Sequence, residues 1–371
     1  MVIDANRRLA TTCILLAAIA AATLLSALAA PPASAAVPRS FYGVAPQTTL
    51  TPADYERMGR GKVGTLRIPI FWSIINPAAP AGDYDFSTID PVVTQAASNG
   101  IEVLPFLYGT PSWVAEEIEN RRCNDCSPFA PTSREGLAAW EDFVSAVVAR
   151  YGRDGSFWVE NPTIPKRPIG AWQIWNEQNS RTFFAPRNKP KLYAKLLDQA
   201  SRAVKAEDRR AEIVLGGMPE LAGSKKATPA SRYLASFYRI RGVERDFDGV
   251  AIHPYGASLR KVADQAELFR DVIRRARDRK AELWVTELGA GSAKGGNPLN
   301  RGRSGQAKLL RQTFGYFKKQ RNKLNIETVN WFSFMDSAVS ICDWCASSGL
   351  FEQGLKPKPS WRAFVKFTGG R

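Results

Sequence analysis

Histidine is almost absent from the sequence, whose 371 residues contain only His253. A single imidazole excludes metal sites that need two or more histidines. Any Ser-His-Asp or Cys-His mechanism would have to run through His253. We therefore expect the chemistry of this chain to belong to carboxylates, and the sequence predicts neither a metal nor a cofactor.

Long apolar runs are also lacking, except at the start of the chain. The first 36 residues contain two arginines, an apolar run from Cys13 to Ala30, and the small residues Ala33–Ala35. This order is typical of a cleaved signal peptide, although the run is near the length of a membrane anchor. We predict a signal peptide over 1–36, a secreted mature chain over 37–371, and no stable membrane insertion.

Cysteine is scarce, and one of the five cysteines falls within the predicted signal peptide. The other four form two Cys-x-x-Cys pairs, Cys123 with Cys126 and Cys342 with Cys345. A four-thiolate zinc site, a redox centre and disulfides are the alternatives, and an oxidising exterior favours disulfides. Four cysteines allow three disulfide connectivities, and we favour the one that consists of two local disulfides.

Acidic residues are outnumbered, with 35 Asp and Glu against 51 Lys and Arg. The densest basic clusters, over 274–280 and 318–323, fall late in predicted helices and lack interleaved aromatic residues. Nucleic-acid binding is therefore not expected. Solvated helix faces, or attraction to an anionic cell envelope, explain these clusters better.

Short apolar runs recur along the mature chain and predict eight strands. Because the runs do not alternate with polar residues, they are typical of parallel strands buried on both faces. The predicted strands are Phe41–Val44, Thr65–Ile70, Ile101–Leu107, Gly170–Trp175, Glu212–Gly216, Phe247–His253, Leu283–Thr286 and Val329–Phe334.

Helix signals separate these strands. Thr51 and Asp90 each precede a proline, and Thr132 with Glu135 predicts a capping box. Eight alternating strands and helices in one chain predict a single-domain (β/α)8 TIM barrel of the α/β class. The alternative, a doubly wound open sheet, usually has a glycine-rich turn after its first strand, which is missing here.

Two glutamates follow predicted strands directly: Glu177 after the fourth and Glu287 at the end of the seventh. These strands stand almost opposite each other in an eight-stranded ring, so the side chains can face one another across the mouth. Each glutamate alone could equally cap a helix or form an ion pair. Two opposed carboxyls among aromatic residues are, however, what glycoside hydrolysis requires.

The surrounding motifs resemble those of the clan A glycoside hydrolases, and are most similar to family thirty-nine and family five-like members. The resemblance rests on Trp175-Asn176-Glu177 and on Thr286-Glu287-Leu288-Gly289. It implies that Glu177 is the acid/base and Glu287 the nucleophile of a retaining enzyme. Gln178 departs from the pattern, since proline is usual after the acid/base.

The same resemblance implies further residues at the substrate site. Arg67 would keep Glu287 ionised, Asn176 would bind the sugar 2-hydroxyl, and Tyr255 would orient Glu287. The residues that it places at the substrate are Arg67, Trp72, Asn176, His253, Tyr255 and Trp331.

The resulting hypothesis is a secreted retaining glycoside hydrolase that cleaves β-linked O-glycosidic bonds of a poly- or oligosaccharide. Two alternatives stay open. The first is an exo-acting β-glycosidase of xylosidase type, and the second is a non-catalytic carbohydrate-binding barrel. Sugar identity depends on the loops that follow the strands, which the sequence does not resolve.

Overall fold

The computed structural model describes residues 37–78, 82–118, 122–221, 223–339 and 342–371. Within it, Arg39–Arg371 form one compact unit. The predicted signal peptide over 1–36 lies outside the described residues, so its cleavage stays a prediction. Among the described residues, no helix is long and apolar enough to cross a membrane.

Eight parallel strands close into a barrel in which each strand pairs with its neighbours in chain order, and β1 pairs with β8. The closure confirms the predicted TIM barrel. The strands are β1 Tyr42–Val44, β2 Thr65–Phe71, β3 Glu102–Tyr108, β4 Ala171–Ile174, β5 Glu212–Leu215, β6 Gly249–Ile252, β7 Glu282–Leu288 and β8 Ile326–Trp331. A small antiparallel pair follows, β9 Phe351–Glu352 and β10 Lys356–Pro357.

The last barrel strand differs from the predicted one, since it begins and ends three residues earlier than Val329–Phe334. Glu327 and Asn330 interrupt the apolar run there, so the hydrophobic pattern did not indicate where the strand begins. Asn325 ends the preceding helix in the left-handed conformation at φ 49°, and the strand begins directly after it.

Helices surround the barrel and connect consecutive strands. They are α1 Pro52–Arg60, α2 Trp72–Ile75, α3 Asp90–Ser98, α4 Arg134–Tyr151, α5 Ser156–Glu160, α6 Pro190–Glu207, α7 Ala230–Phe237, α8 Leu259–Arg275, α9 Gly302–Leu324 and α10 Pro359–Thr368. Four 3-10 turns, at Arg39–Phe41, Val243–Arg245, Cys345–Ser347 and Gln353–Leu355, and a π-helix at Val114–Ile118 complete the described elements.

The predicted caps are only partly correct. Thr51 caps α1 in a capping box with Asp54. The cap of α4 is Ser133, one residue after the predicted Thr132, because the Ser133 hydroxyl accepts from the Gly136 amide. Asp90 is already helical, and its carboxylate instead accepts from the Arg150 guanidinium of α4.

Both cysteine pairs are local disulfides. Cys123 is bonded to Cys126 and Cys342 to Cys345, with Cα separations of 5.3 and 5.2 Å. The first closes a turn in the loop after β3, and the second a turn in the loop after β8. Both loops leave the carboxyl ends of their strands, which is the face where a barrel of this kind builds its site.

Candidate active site

Glu177 and Glu287 meet at the mouth of the barrel. Glu287 lies within β7, and Glu177 follows the end of β4 by three residues. One carboxylate oxygen of Glu177 and one of Glu287 lie within 4.8 Å of each other. Their side chains are 14% and 13% exposed, so both are largely enclosed yet open to the mouth.

Two donors bind the carboxylate of Glu287. Arg67 Nη1 lies 2.6 Å from Oε1, and the Tyr255 hydroxyl donates to Oε2 at 2.5 Å. Burial by itself would raise the pKa of Glu287, but the His253 ring, the Arg67 charge and these hydrogen bonds hold the pKa below its usual value. Glu287 is therefore kept ionised, as a nucleophile requires.

The Arg67 guanidinium is buried beneath the site, with 2% of the residue exposed. Its Nη2 donates to Asn176 Oδ1 at 2.8 Å, and its Nε donates to Gln173 Oε1 at 2.9 Å. The guanidinium also lies 4.2 Å from the ring centroid of Phe106. Because every donor group is engaged, Arg67 is fixed in position and links Asn176 to Glu287.

Glu177 is in a different electrostatic environment. Burial raises the pKa of its carboxyl, and the nearby Glu287 raises it further, against the lowering effect of a hydrogen bond to His253. His253 Nδ1 lies 2.9 Å from Glu177 Oε1, and Nε2 lies 3.1 Å from Thr286 Oγ1. The pKa values of the two glutamates thus move in opposite directions, which allows one proton between them.

The backbone after β4 adopts unusual conformations that present Glu177. Trp175 and Glu177 have φ of 70° and 46°, which residues other than glycine rarely adopt. Hydrogen bonds hold this segment: the Trp175 amide donates to Leu107 O at 2.9 Å, and the Glu177 amide to Gly217 O at 3.0 Å. A Cβ on Gly217 would lie 2.0 Å from His253 Nε2, so only glycine fits beside the imidazole.

Gln178 occupies the position where the resemblance leads one to expect proline. Its side chain is fully buried, and Nε2 donates to Gly216 O at 3.0 Å. The amide therefore ties the loop after β4 to the end of β5, and the departure leaves Glu177 in place at the mouth.

Two tryptophans do not lie where the sequence predicted them. Trp72 and Trp331 are completely buried. Trp72 stacks on Phe143 of α4 with ring centroids 5.6 Å apart, and Trp331 packs edge-on against Phe314 of α9 at 6.4 Å. Both indoles fill the space between the barrel and its helices, so the prediction that they bind substrate is wrong.

His253 and Arg67 also lack a path to substrate, since they are 0% and 2% exposed. They contact the two glutamates instead, so the geometry does not support their predicted direct contact with sugar. The Tyr255 hydroxyl contacts Glu287, as its predicted orienting role requires. Asn176 shares the buried layer, 6% exposed, beside Arg67.

Sequence reasoning missed an aromatic cluster at the mouth. Phe332, half-buried, lies 6.5 Å from Tyr255 and 5.9 Å from Trp344 between ring centroids. Across the site, Tyr108 packs against Trp175 with ring centroids 4.7 Å apart, and burial, followed by the charges of Asp125 and Glu177, raises the pKa of its phenol. Strand alternation in β8 is the signal that could have identified Phe332, because neighbouring residues face opposite sides.

Among the residues that the structure describes, two groups of side chains have ligand atoms close enough to suit a metal. In the first group, Glu177, His253 and Glu287 each offer one atom within 4.8 Å of the others, but Arg67 already holds Glu287, and its positive charge opposes a cation. In the second, Glu116 lies near Cys123 and Cys126, whose sulfurs are joined in a disulfide and are not thiolates.

Comparison with known proteins gave results only at the level of structure. No family model and no curated protein matches the sequence. A family 39 glycoside hydrolase from Bacteroides cellulosilyticus superposes with a TM-score of 0.62 and 19% identity over 90% of this chain. The chain spans 64% of that protein's length, which is less than two thirds.

Two further solved structures have similar scores. A monomeric β-xylosidase from Caulobacter crescentus has a TM-score of 0.62 and 17% identity, covering 90% of this chain and 69% of the other. Xylanase 10B from Thermotoga maritima has a TM-score of 0.59 and 17% identity, covering 89% and 94%. At such identities the likeness establishes the (β/α)8 fold that this chain shares with glycoside hydrolases.

Proposed function

We propose that this protein is a retaining glycoside hydrolase that cleaves O-glycosidic bonds with Glu287 as nucleophile and Glu177 as acid/base. The observation that carries the proposal is the approach of the two carboxylates to within 4.8 Å. Carboxyl separations are about 5–5.5 Å in retaining glycosidases and about 6.5–9.5 Å in inverting ones. The spacing of the closest oxygens is therefore nearer to that of retaining enzymes and supports the retaining mechanism.

The opposite pKa shifts fit the two roles. Glu287, ionised beside Arg67 and Tyr255, attacks the anomeric carbon and displaces the leaving sugar, to which Glu177 donates its proton. The resulting glycosyl-enzyme is then hydrolysed by a water molecule whose proton returns to Glu177. The two steps together restore the starting enzyme, because Glu287 is released as a carboxylate and Glu177 is protonated again.

The substrate class follows from the same site and from its structural neighbours. Phe332 and Tyr255 offer aromatic surface beside Glu287, which suits the apolar face of a sugar ring. Solved structures of similar fold are named as a β-xylosidase and a xylanase. We therefore propose a β-linked poly- or oligosaccharide as substrate, with exo-acting β-glycosidase activity as the alternative.

Export belongs to the proposal as well. The composition of residues 1–36 and the two disulfides agree with a secreted enzyme, because disulfides persist in oxidising compartments. The purified native protein, sequenced from its amino terminus after expression in an exporting host, is expected to begin near residue 37.

The test of function is turnover of a panel of aryl β-glycosides and polysaccharides by wild type, Glu177→Gln and Glu287→Gln. We expect Glu287→Gln to lose at least about 10³-fold in kcat on every substrate. Glu177→Gln should lose much less on glycosides whose leaving group needs no proton than on those with a poor leaving group. Glu282→Gln, at the other end of β7, is the matched control.

Product stereochemistry provides an independent check. Early NMR spectra of the released sugar are expected to show retention at the anomeric carbon. Turnover that survives Glu287→Gln, or inverted product, would contradict the proposed mechanism. Binding of a glycan by wild type without turnover on any substrate would favour the non-catalytic carbohydrate-binding alternative.

A further inference from the structure

A cavity of about 600 Å³ lies at the opposite end of the barrel from the two glutamates. It opens where α8 and α9 end and the chain enters β7 and β8. This cavity joins the two basic clusters that the sequence keeps about forty residues apart. Its described lining residues are Arg270, Arg274, Arg279, Asn322, Lys323 and Asn325.

The charged residues that line this cavity are all positive. Four of the six residues are cations, two are amides, and the described lining contains no carboxylate. Arg274, Arg279 and Lys323 are exposed at the rim, whereas Arg270 is 3% exposed. The cavity therefore has a buried positive charge at its base and three exposed ones around its opening.

Arg270 has no full counter-charge. Its Nη1 donates to Ala281 O at 2.9 Å and its Nη2 to Asn325 O at 3.3 Å, while its Nε has no partner. Among the described residues, no carboxylate forms an ion pair with Arg270. Burial, reinforced by Arg274, lowers the pKa of the guanidinium, as expected for a charge that lacks compensation.

The nearby carboxylates are otherwise engaged or further away. Asp278 accepts from the Tyr238 hydroxyl at 3.1 Å and from the Ala281 amide at 3.2 Å. Asp271 lies on the exposed side of α8, where it pairs with Arg274 at 3.6 Å. The charges of Asp278 and Glu282 act on Arg270, but neither carboxylate forms an ion pair with it.

We propose that this cavity binds a multiply charged oxyanion of the phosphate or sulfate type, either free or carried on a glycan. Guanidinium groups present several N–H donors in a fixed plane that matches such oxygens, and a buried guanidinium gains most from a counter-ion. The exposed side chains of Arg274, Arg279 and Lys323 supply the donors, and the buried charge of Arg270 adds electrostatic attraction at the base of the cavity. This site is separate from the proposed catalytic one and does not depend on it.

Calorimetric titration of the native protein at constant ionic strength tests the proposal. The probes are inorganic phosphate, inorganic sulfate and a heparin-derived tetrasaccharide. We expect saturable binding of at least one probe, with one site per chain. Tighter binding of the tetrasaccharide indicates a sulfated glycan as ligand, and equal or tighter binding of the inorganic ions indicates a free anion.

Three variants locate the binding. The double variant Arg274→Gln/Arg279→Gln removes two rim charges, and Arg270→Gln removes the buried charge at the base. Each is expected to weaken binding about tenfold or more. The double variant Arg209→Gln/Arg232→Gln removes the same charge at other exposed positions and is expected to bind like wild type.

Two results would overturn the proposal. One is the lack of saturable binding for all three probes in wild type. The other is equal weakening in the two double variants, which would reduce the effect to overall charge. Thermal unfolding of Arg270→Gln without ligand shows whether the variant is folded before its titration is interpreted.

Discussion

Tyr255 and Trp344 pack edge to face with ring centroids 4.9 Å apart. Tyr255 follows β6 and donates its hydroxyl to Glu287, whereas Trp344 lies inside the Cys342–Cys345 turn after β8. The orientation of the Glu287 carboxylate is thus coupled through one phenol ring to a loop that a disulfide closes.

Removal of the Trp344 indole should impair catalysis by releasing Tyr255. We expect Trp344→Ala to lower kcat about ten- to a hundredfold, because small displacements of reacting groups cost rate steeply. Trp158→Ala is the control, since Trp158 is equally buried in α5 and donates only to Tyr151 O. Both variants should lose stability in thermal unfolding, but only Trp344→Ala should lose kcat.

Tyr255→Phe should shift the acidic limb of the profile of kcat/KM against pH. The Tyr255 hydroxyl lowers the pKa of Glu287, so its removal raises that pKa. Since the nucleophile must be ionised, the acidic limb of kcat/KM against pH should move to higher pH. An acidic limb that stays in place or moves to lower pH would refute the assignment of Glu287 as the ionised partner.

His253→Asn should shift both the acidic and the basic limb of the profile of kcat/KM against pH. His253 lowers the pKa of Glu177 and that of Glu287, so both rise in the variant. The acid must be protonated and the nucleophile ionised, so the basic and acidic limbs should both move to higher pH. A shift of the acidic limb alone would show that His253 acts on Glu287 only.

Alanine substitutions of Trp331 and of Phe332 should differ in their effects, the first mainly on stability and the second mainly on activity. Trp331 is fully buried behind the barrel, so Trp331→Ala is expected to cost about 3–5 kcal/mol of unfolding free energy. Phe332 is half-buried at the mouth, so Phe332→Ala should lose less stability but raise KM or lower kcat. Denaturant unfolding and steady-state kinetics on both variants check this pair. The reverse pattern would restore Trp331 to the substrate site.

Glu282 should make the protein less stable as pH rises. Burial, together with Glu212 and Glu327, raises the pKa of Glu282 to about 7. Between its ordinary value and pH 7 the folded chain binds more protons than the unfolded chain, so stability falls as pH increases. Because solvent screens this partly exposed group, we expect Glu282→Gln to gain only about 1 kcal/mol at pH 8. The gain should vanish at pH 4, as measured by denaturant unfolding.

The barrel could be predicted from the sequence because most of its strands contain a short apolar run, and these runs alternate with helix signals. The same feature identified Glu177 and Glu287, whose carboxylates come directly after buried residues. Strand ends are where prediction failed. A shift of one residue exchanges the two faces of a strand, and this placed Trp331 at the mouth instead of Phe332.

Contacts between distant segments could not be predicted from sequence patterns. The enclosure of His253 depends on Gly217 of the neighbouring βα loop, which leaves room for the imidazole. Likewise, the basic residues at the ends of α8 and α9 form one cavity only because the two helices are adjacent in the ring. Such relationships depend on tertiary packing and not on local patterns.

The single histidine gives this protein a built-in reporter. His253 is enclosed between Glu177 and Thr286, and the sequence contains no second imidazole. Every imidazole resonance in an NMR spectrum of the whole chain therefore comes from the space between the two glutamates. Proton movement there can be followed without isotope labelling at a chosen site and without subtracting a background from other histidines.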